Sequence, residues 1–234
     1  CDDGRRRVYE SADKGNTWTE ALGTLSRVWG SNHEENVKPV GSGFTTATVG
    51  NDDKNVMLVT LPVYAEEGNE KGKLHLWLTD NTHIADIGPV SGDDDAAASS
   101  LLYKSGKSET NGKEELIALY EKKKDDAEKP SPGMVSVLLT EKLKRVKEVL
   151  ATWKEVDERV SKLCTTLFAQ KVTSTDSPCT TDVKITAGLV GFLSGKFSDN
   201  VWRDEYLGVN ATVKGNGATN ASDGVKFTGR GAGA

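Results

Sequence analysis

The chain has 234 residues, 28% of them charged and 6% aromatic, with a formal net charge of −5, which is enough for one domain and part or all of a second. An acidic balance argues against general nucleic-acid binding, and no apolar run approaches the roughly eighteen residues that a membrane-spanning helix needs. The chain opens on Cys1 with no basic segment and apolar stretch behind it, so no signal peptide is visible, and the expectation is a segment of a longer polypeptide.

Arg5-Arg6-Arg7 leads into a strand-like run, and Ser11-Ala-Asp13-Lys-Gly15-Asn-Thr-Trp18 follows it. The Ser and Asp oxygens can accept backbone N–H bonds and Gly15 can take a positive φ. Trp18 is expected to fold beneath the turn as a plug, in which case Trp18→Ala costs about 3–5 kcal/mol. Strand candidates then stand at 44–49, 56–61, 74–79, 101–104, 116–120 and 135–139, divided by Gly, Asn, Asp and Pro clusters. That cadence fits an antiparallel sandwich, barrel or propeller. Residues 106–112 and 122–133 read as polar loops or hairpin tips, the second carrying a charge run expected to be a solvated face.

Residues 140–164 change period. Leu143, Val146, Leu150, Trp153, Val156, Val160 and Leu163 recur every three or four positions, with Lys147, Glu148, Lys154, Glu155, Glu158 and Lys162 on the other side. This is one amphipathic helix, about 35 Å long, with Thr140 as N-cap and Glu141 in the first turn. Its apolar stripe needs a partner surface, and the expectation is a strut between two β domains.

Cys164 and Cys179 flank a Ser/Thr/Asp/Pro-rich loop. The expectation is a disulfide worth roughly 3 kcal/mol in the chain-entropy account, against two free thiols, with Cys1 left over. Asn210-Ala-Thr and Asn220-Ala-Ser are glycosylation sequons, which together with a disulfide point to an extracellular protein. His33, His75 and His83 share no metal-ligand spacing, and surface or packed histidines are expected; no cofactor motif is present. The tail Gly229-Arg-Gly-Ala-Gly-Ala234 lacks the Gly-Lys-Ser/Thr of a phosphate loop, and Ser99-Ser100 has no His/Asp partner nearby in sequence.

The spacing S-x-D-x-G-x-x-W at 11–18 resembles the Asp-box of sialidase propellers, a structural hairpin away from the active site. Val8-Tyr-Glu-Ser11, Trp18-Thr-Glu-Ala-Leu-Gly-Thr-Leu-Ser-Arg-Val-Trp29, Leu76-Trp-Leu-Thr-Asp-Asn81, Ser99-Ser-Leu-Leu-Tyr-Lys104 and Ala187-Gly-Leu-Val-Gly-Phe-Leu-Ser194 are similar, in family order, to the trypanosomal trans-sialidase superfamily. The resemblance implies a mainly β chain in four parts. Residues 1–139 would be the later blades of a six-bladed propeller, 140–164 an interdomain helix, 165–184 a disulfide-closed linker, and 185–234 the start of a lectin-like, concanavalin-type sandwich.

Sialidases of this type attack with a tyrosine assisted by a Glu base and an Asp acid, and three arginines clamp the sialic acid carboxylate with paired, charged hydrogen bonds. In active members the tyrosine stands immediately before Ser-Ser-x-Leu-Tyr-Lys; here that position is Ala98, whose methyl group cannot form an aryl glycoside. Where active members carry Arg-Trp-x-Arg-Asp-Arg, this chain reads Gly68-Asn69-Glu70-Lys71-Gly72-Lys73. Lys71 at the third arginine keeps the charge and loses the bidentate fork, and Asn69 loses the stacking platform of the acceptor-site tryptophan. Glu121 matches the glutamate that supports the first arginine.

The resemblance therefore implies a trans-sialidase-like surface glycoprotein without catalysis. It would be a monomer, extracellular or at the cell surface, with its signal and anchor outside this chain. Its role would be adhesion to host glycoconjugates, cell-surface or extracellular-matrix proteins, or immune display. The alternative is an active exo-α-sialidase or trans-sialidase using another nucleophile such as Tyr103 or Tyr120; a structural coat without a ligand is a third reading.

Overall fold

A computed structural model describes residues 7–21, 23–29, 40–50, 54–64, 71–106, 112–123, 133–169, 191–193, 197–198, 200–213, 218–221 and 224–227. The chain is mainly β, in two compact units, Cys1–Glu148 and Val149–Ala234.

The first unit opens with a short antiparallel pair, β1 (Tyr9–Glu10) and β2 (Thr19–Glu20), around the Ser11 to Trp18 turn. A short helix, α1 (Thr24–Trp29), follows. Four strands then form an antiparallel meander in chain order: β3 (Gly43–Val49), β4 (Lys54–Tyr64), β5 (Gly72–Thr79) and β6 (Ile84–Pro89). A second meander has three strands, β7 (Ala96–Lys104), β8 (Glu115–Lys122) and β9 (Gly133–Leu138).

Alternation explains the core between them. Leu74, Leu76 and Leu78 point to one face of β5 and are fully buried, as are Leu58 on β4 and Leu116 on β8. β7 lies against β3 and β4. Contact between the sheets is tight at Gly43, whose N–H reaches both Thr60 Oγ1 (3.0 Å) and Ser99 Oγ (3.1 Å), and the two hydroxyls meet at 2.9 Å. A Cβ at Gly43 would stand 2.3 Å from Thr60 Oγ1 and 2.9 Å from the Ser100 backbone, so only glycine fits. The sheets among the described residues are open, and none closes on itself.

A 30-residue helix, α2 (Thr140–Ala169), occupies the region of changed period. Its N-cap is Leu139, not Thr140: the Leu139 carbonyl accepts the Leu143 N–H at 2.9 Å, and Thr140 already lies in the first turn. It runs past 164 to Ala169, in keeping with the absence of Gly and Pro throughout. In the first unit its early turns are held by Leu143 and Val146, both buried, by Lys142 Nζ on the Ile87 carbonyl (3.3 Å), and by Lys147 paired with Glu114.

In the second unit the remainder of α2 packs on the segment around 204–207. Trp153 is fully buried and donates its indole N–H to the Glu205 carbonyl; the Tyr206 hydroxyl donates to Asp157, and the Phe192 and Tyr206 rings meet at 5.6 Å. Asp204 organises the turn from inside: its carboxylate accepts the N–H groups of Phe192 (2.7 Å), Tyr206 (2.9 Å) and Leu207 (2.8 Å). Small antiparallel sheets complete the unit: β10 (Phe197–Ser198), β11 (Val201–Trp202) and β12 (Ala211–Thr212) in one, β13 (Ala218–Ala221) and β14 (Gly224–Phe227) in the other.

Trp18 differs from its expected place. The ring is 63% exposed and does not plug a core; its N–H turns back to the Gly15 carbonyl at 3.1 Å. The turn holds itself together instead: Asp13 accepts from the Thr17 N–H (2.8 Å), the Thr17 hydroxyl (2.7 Å) and the Ser11 hydroxyl (2.8 Å), Ser11 Oγ accepts the Gly15 N–H, and Gly15 sits at φ +94°. The Thr17 and Ser11 donors hold the Asp13 carboxyl down at about 2. An exposed ring loses little on truncation, so the burial cost anticipated for Trp18→Ala does not apply.

Candidate functional site

Ala98 lies near the start of β7, where the ladder to β8 is irregular. Ala96 pairs with Lys122 and Ser99 with Tyr120, so Ala97 and Ala98 share one residue opposite them, Glu121. This β-bulge bends the strand and brings two of the expected site residues, Ala98 and Glu121, together. The Ser99 N–H is bonded to the Gly41 carbonyl at 3.0 Å, and a Cβ at Gly41 would meet the Ala98 methyl at 3.6 Å. The bulge is therefore fixed from both sides, with a small aliphatic side chain at its centre.

Lys71 is exposed, immediately before β5. The next N–H, of Gly72, donates to Asp95 Oδ1 at 2.9 Å, which ties the start of β5 to the residue before β7. Asn69 lies outside the described residues, as do Cys1 and Cys179 and the side chains of Cys164 and Asn220. Asn210 is exposed, and its side-chain oxygen accepts the Asp204 N–H at 2.9 Å.

Sequence reasoning gave no role to Asp93-Asp94-Asp95, and these residues dominate the electrostatics of this end of the sheets. Lys73 pairs with Asp93 (2.9 Å), Lys122 with Asp94 (2.5 Å) and Lys123 with Asp95 (3.1 Å). Lys122 and Lys123 are thus engaged in ion pairs while their side chains stay at the surface, as a solvated charge run would; the rest of that run, from 124, lies outside the described residues. The signal was a three-carboxylate turn preceding one strand and a lysine run ending the next; only strand pairing brings the two together.

The tyrosines offered as substitute nucleophiles are both committed. Tyr120 is 2% exposed and donates to Asp94 Oδ2 at 2.8 Å. Burial first, then the Asp94 bond, push its phenol up to about 12. The Tyr103 hydroxyl donates to the Thr48 carbonyl (3.0 Å) and Glu114 Oε1 (3.2 Å), and burial followed by the Glu114 charge takes it to about 12 as well. A phenol held protonated is a poor nucleophile. Ser99 is spent on Thr60 and Gly43.

Two of the three histidines are paired with carboxylates, His75 with Asp86 (2.8 Å) and His83 with Asp80 (2.9 Å); His33 lies outside the described residues. Among the described residues no group of three or more His, Cys, Asp or Glu side chains is arranged to hold a metal ion, and no helix is long and apolar enough to cross a membrane.

Antiparallel meanders preceded by a self-bonded Ser-Asp-Gly-Trp turn define the class: residues 1–121 match the BNR repeat-like domain, and residues 185–234 match the C-terminal domain of trans-sialidases. The chain belongs to the trans-sialidase superfamily. It is 35% identical to Sialidase 85-1.1 of Trypanosoma cruzi over 95% of its own length and 26% of that protein's. Among solved structures it is similar to Trypanosoma rangeli sialidase in complex with 2,3-difluorosialic acid, a covalent intermediate (38% identity, TM-score 0.64, covering 98% of this chain and 33% of the other). It is also similar to a mutant of that sialidase displaying trans-sialidase activity (38% identity, TM-score 0.61, covering 96% and 32%). The chain thus spans about a quarter to a third of the length of these relatives.

Proposed function

We propose that the protein is a trans-sialidase-like surface glycoprotein that has lost sialic acid hydrolysis and transfer, and that serves adhesion to host glycoconjugates, cell-surface or matrix proteins, or immune display. In this reading the first unit contributes later blades of a sialidase-type propeller and residues 185–234 begin a lectin-like sandwich. The observation that carries it is Ala98. At the place the family motif gives to the nucleophilic tyrosine, a methyl group sits in a bulge opposite Glu121. Lys71 in place of a clamping arginine, and the commitment of Tyr103 and Tyr120 to Glu114 and Asp94, support it further.

The competing reading, an active exo-α-sialidase or trans-sialidase, draws on the activity stated for the Trypanosoma rangeli mutant. Assay of the full-length parent protein for release of sialic acid, and for its transfer to an added acceptor, separates the two. No turnover is expected, and none from Ala98→Tyr alone. Sialyl transfer by the unmodified protein, abolished by Tyr103→Phe or Tyr120→Phe, would sink the inactive reading.

A further inference from the structure

A concave surface lies at the end of β7 away from Ala98. Tyr103 is five residues beyond Ala98, about 17 Å along an extended strand. There a cleft of about 520 Å³ opens between the end of β3, the start of β4, the turn after β5 and the residues closing β7, within the size range of small-molecule sites.

Ala47 and Val56 line its base but turn their side chains into the core; Met57, on the same face of the sheet as Thr46, Thr48 and Asn55, supplies the apolar side chain. Its walls carry uncharged hydrogen-bonding groups, Thr46, Thr48, Asn55, Asn81, Tyr103 and Ser105. Asp80 also lines the cleft, and its carboxylate is already matched by Lys54 at 2.8 Å.

Several of these groups are held in place before any ligand arrives. Asn81 takes φ +73°, and its N–H is bonded to Thr79 Oγ1 at 3.0 Å. Asp80 Oδ1 accepts the N–H groups of Thr82 and His83 across the same turn. Asn55 Oδ1 accepts the Thr48 hydroxyl at 2.9 Å, which orients its amide N–H2 with its donors unspent among the described residues; the Asn81 side-chain amide is unspent in the same sense. An oriented Asn55 amide and a second unused amide on Asn81, beside the Met57 side chain and with the one wall charge neutralised, favour a ligand that offers hydroxyls on its rim, C–H groups on its face and no net charge.

We propose that this cleft is a binding site for a neutral saccharide, of one or two rings, separate from the Ala98 end and independent of whether that end is catalytic. Asn55 and Asn81 hold the hydroxyls, and the Met57 side chain, on the same face of β4 as Asn55, meets the ring's apolar face.

The test is titration of lactose into the full chain, followed through backbone amide chemical shifts. Saturable shifts are expected at Asn55, Asn81 and Ser105, with a dissociation constant of about 1–10 mM, as suits a shallow site with a few neutral hydrogen bonds. The pair Asn55→Ala and Asn81→Gly removes both amides while glycine keeps the positive φ, so the fold, checked by an unchanged Tm, survives. Affinity should fall at least about fivefold in that variant. N-acetylneuraminic acid, which is charged, should leave these amides unmoved. No saturable shift at these residues up to about 100 mM lactose, an unchanged affinity in the double variant, or stronger shifts there from N-acetylneuraminic acid would each overturn the proposal. The sialidase and transfer assays read the Ala98 end alone, so the two proposals fail separately.

Discussion

The two meanders of the first unit are built from the same kind of strand and treat water differently. In the four-stranded sheet, β4 shows an almost unbroken run of burial from Val56 to Leu61, and β5 buries every second residue completely. In the three-stranded sheet, β9 alternates strictly, leaving Met134 at 60% and Leu138 at 54% exposure, and Leu102 and Leu119 of the neighbouring strands are exposed on the same sheet. An interior strand covered on both faces becomes continuously apolar, while one covered on a single face keeps the two-residue alternation. Leucine content alone therefore does not report burial in this protein; the face a residue points to, and what covers that face, do.

The largest expected break in that contrast is a matched pair of truncations. Leu76→Ala, at a fully buried position, should cost about 3–4 kcal/mol, and Leu138→Ala, at a half-exposed one, less than about 1 kcal/mol, both read from urea unfolding midpoints. Equal losses would mean that the two sheets are covered alike.

Glycines give the next test. Gly43→Ala drives a methyl group into Thr60 Oγ1 and the Ser100 backbone, and because a backbone cannot rotate away, about 1–3 kcal/mol should be lost. Gly133→Ala, at the start of β9 with nothing within 4 Å of the added carbon, should be neutral or gain a few tenths of a kcal/mol, roughly, from the less flexible unfolded chain. Thermal unfolding of the two variants side by side settles whether the sheets meet where Gly43 places them.

The smallest effect concerns the turn after β5. Burial raises the Asp80 carboxyl, but hydrogen bonds from His83 and Lys54 outweigh it, and the net result lies far below the usual carboxylate range. A group whose pKa is depressed on folding contributes stability above its unfolded value of about 3.9 and loses it as pH falls through the folded value. Asp80→Asn should therefore destabilise by about 1–2 kcal/mol at pH 7, and the gap to the parent chain should narrow as pH falls below about 4. A gap that stays constant from pH 7 to pH 3 would show that the carboxylate charge contributes nothing.

Strand positions were legible where alternation or β-branching was strong, as on β3, β4, β5 and β8. β6 was missed because Ile84-Ala-Asp-Ile-Gly-Pro89 ends in Gly and Pro and looks like a loop. The start of β7 was hidden by Ala96-Ala-Ala-Ser-Ser100, residues of low β propensity that become a strand only by pairing with β8. Trp18 was misjudged for a related reason: the eight-residue motif specifies the turn's own hydrogen bonds and does not specify what, if anything, covers the ring.

The sequence by itself determined which chemical groups stand at 71, 98 and 121, the wiring of the 11–18 turn, and the period of the long helix, because each is a matter of residue identity or of neighbours a few positions apart. Only the tertiary structure decided that Ala98 lies in a bulge facing Glu121, that the lysines at 73, 122 and 123 are answered by the carboxylates at 93–95, and that Asn55 and Asn81 meet over one cleft. Those are matters of strand register and of loops meeting in space, and register depends on partners tens of residues away that local sequence does not encode.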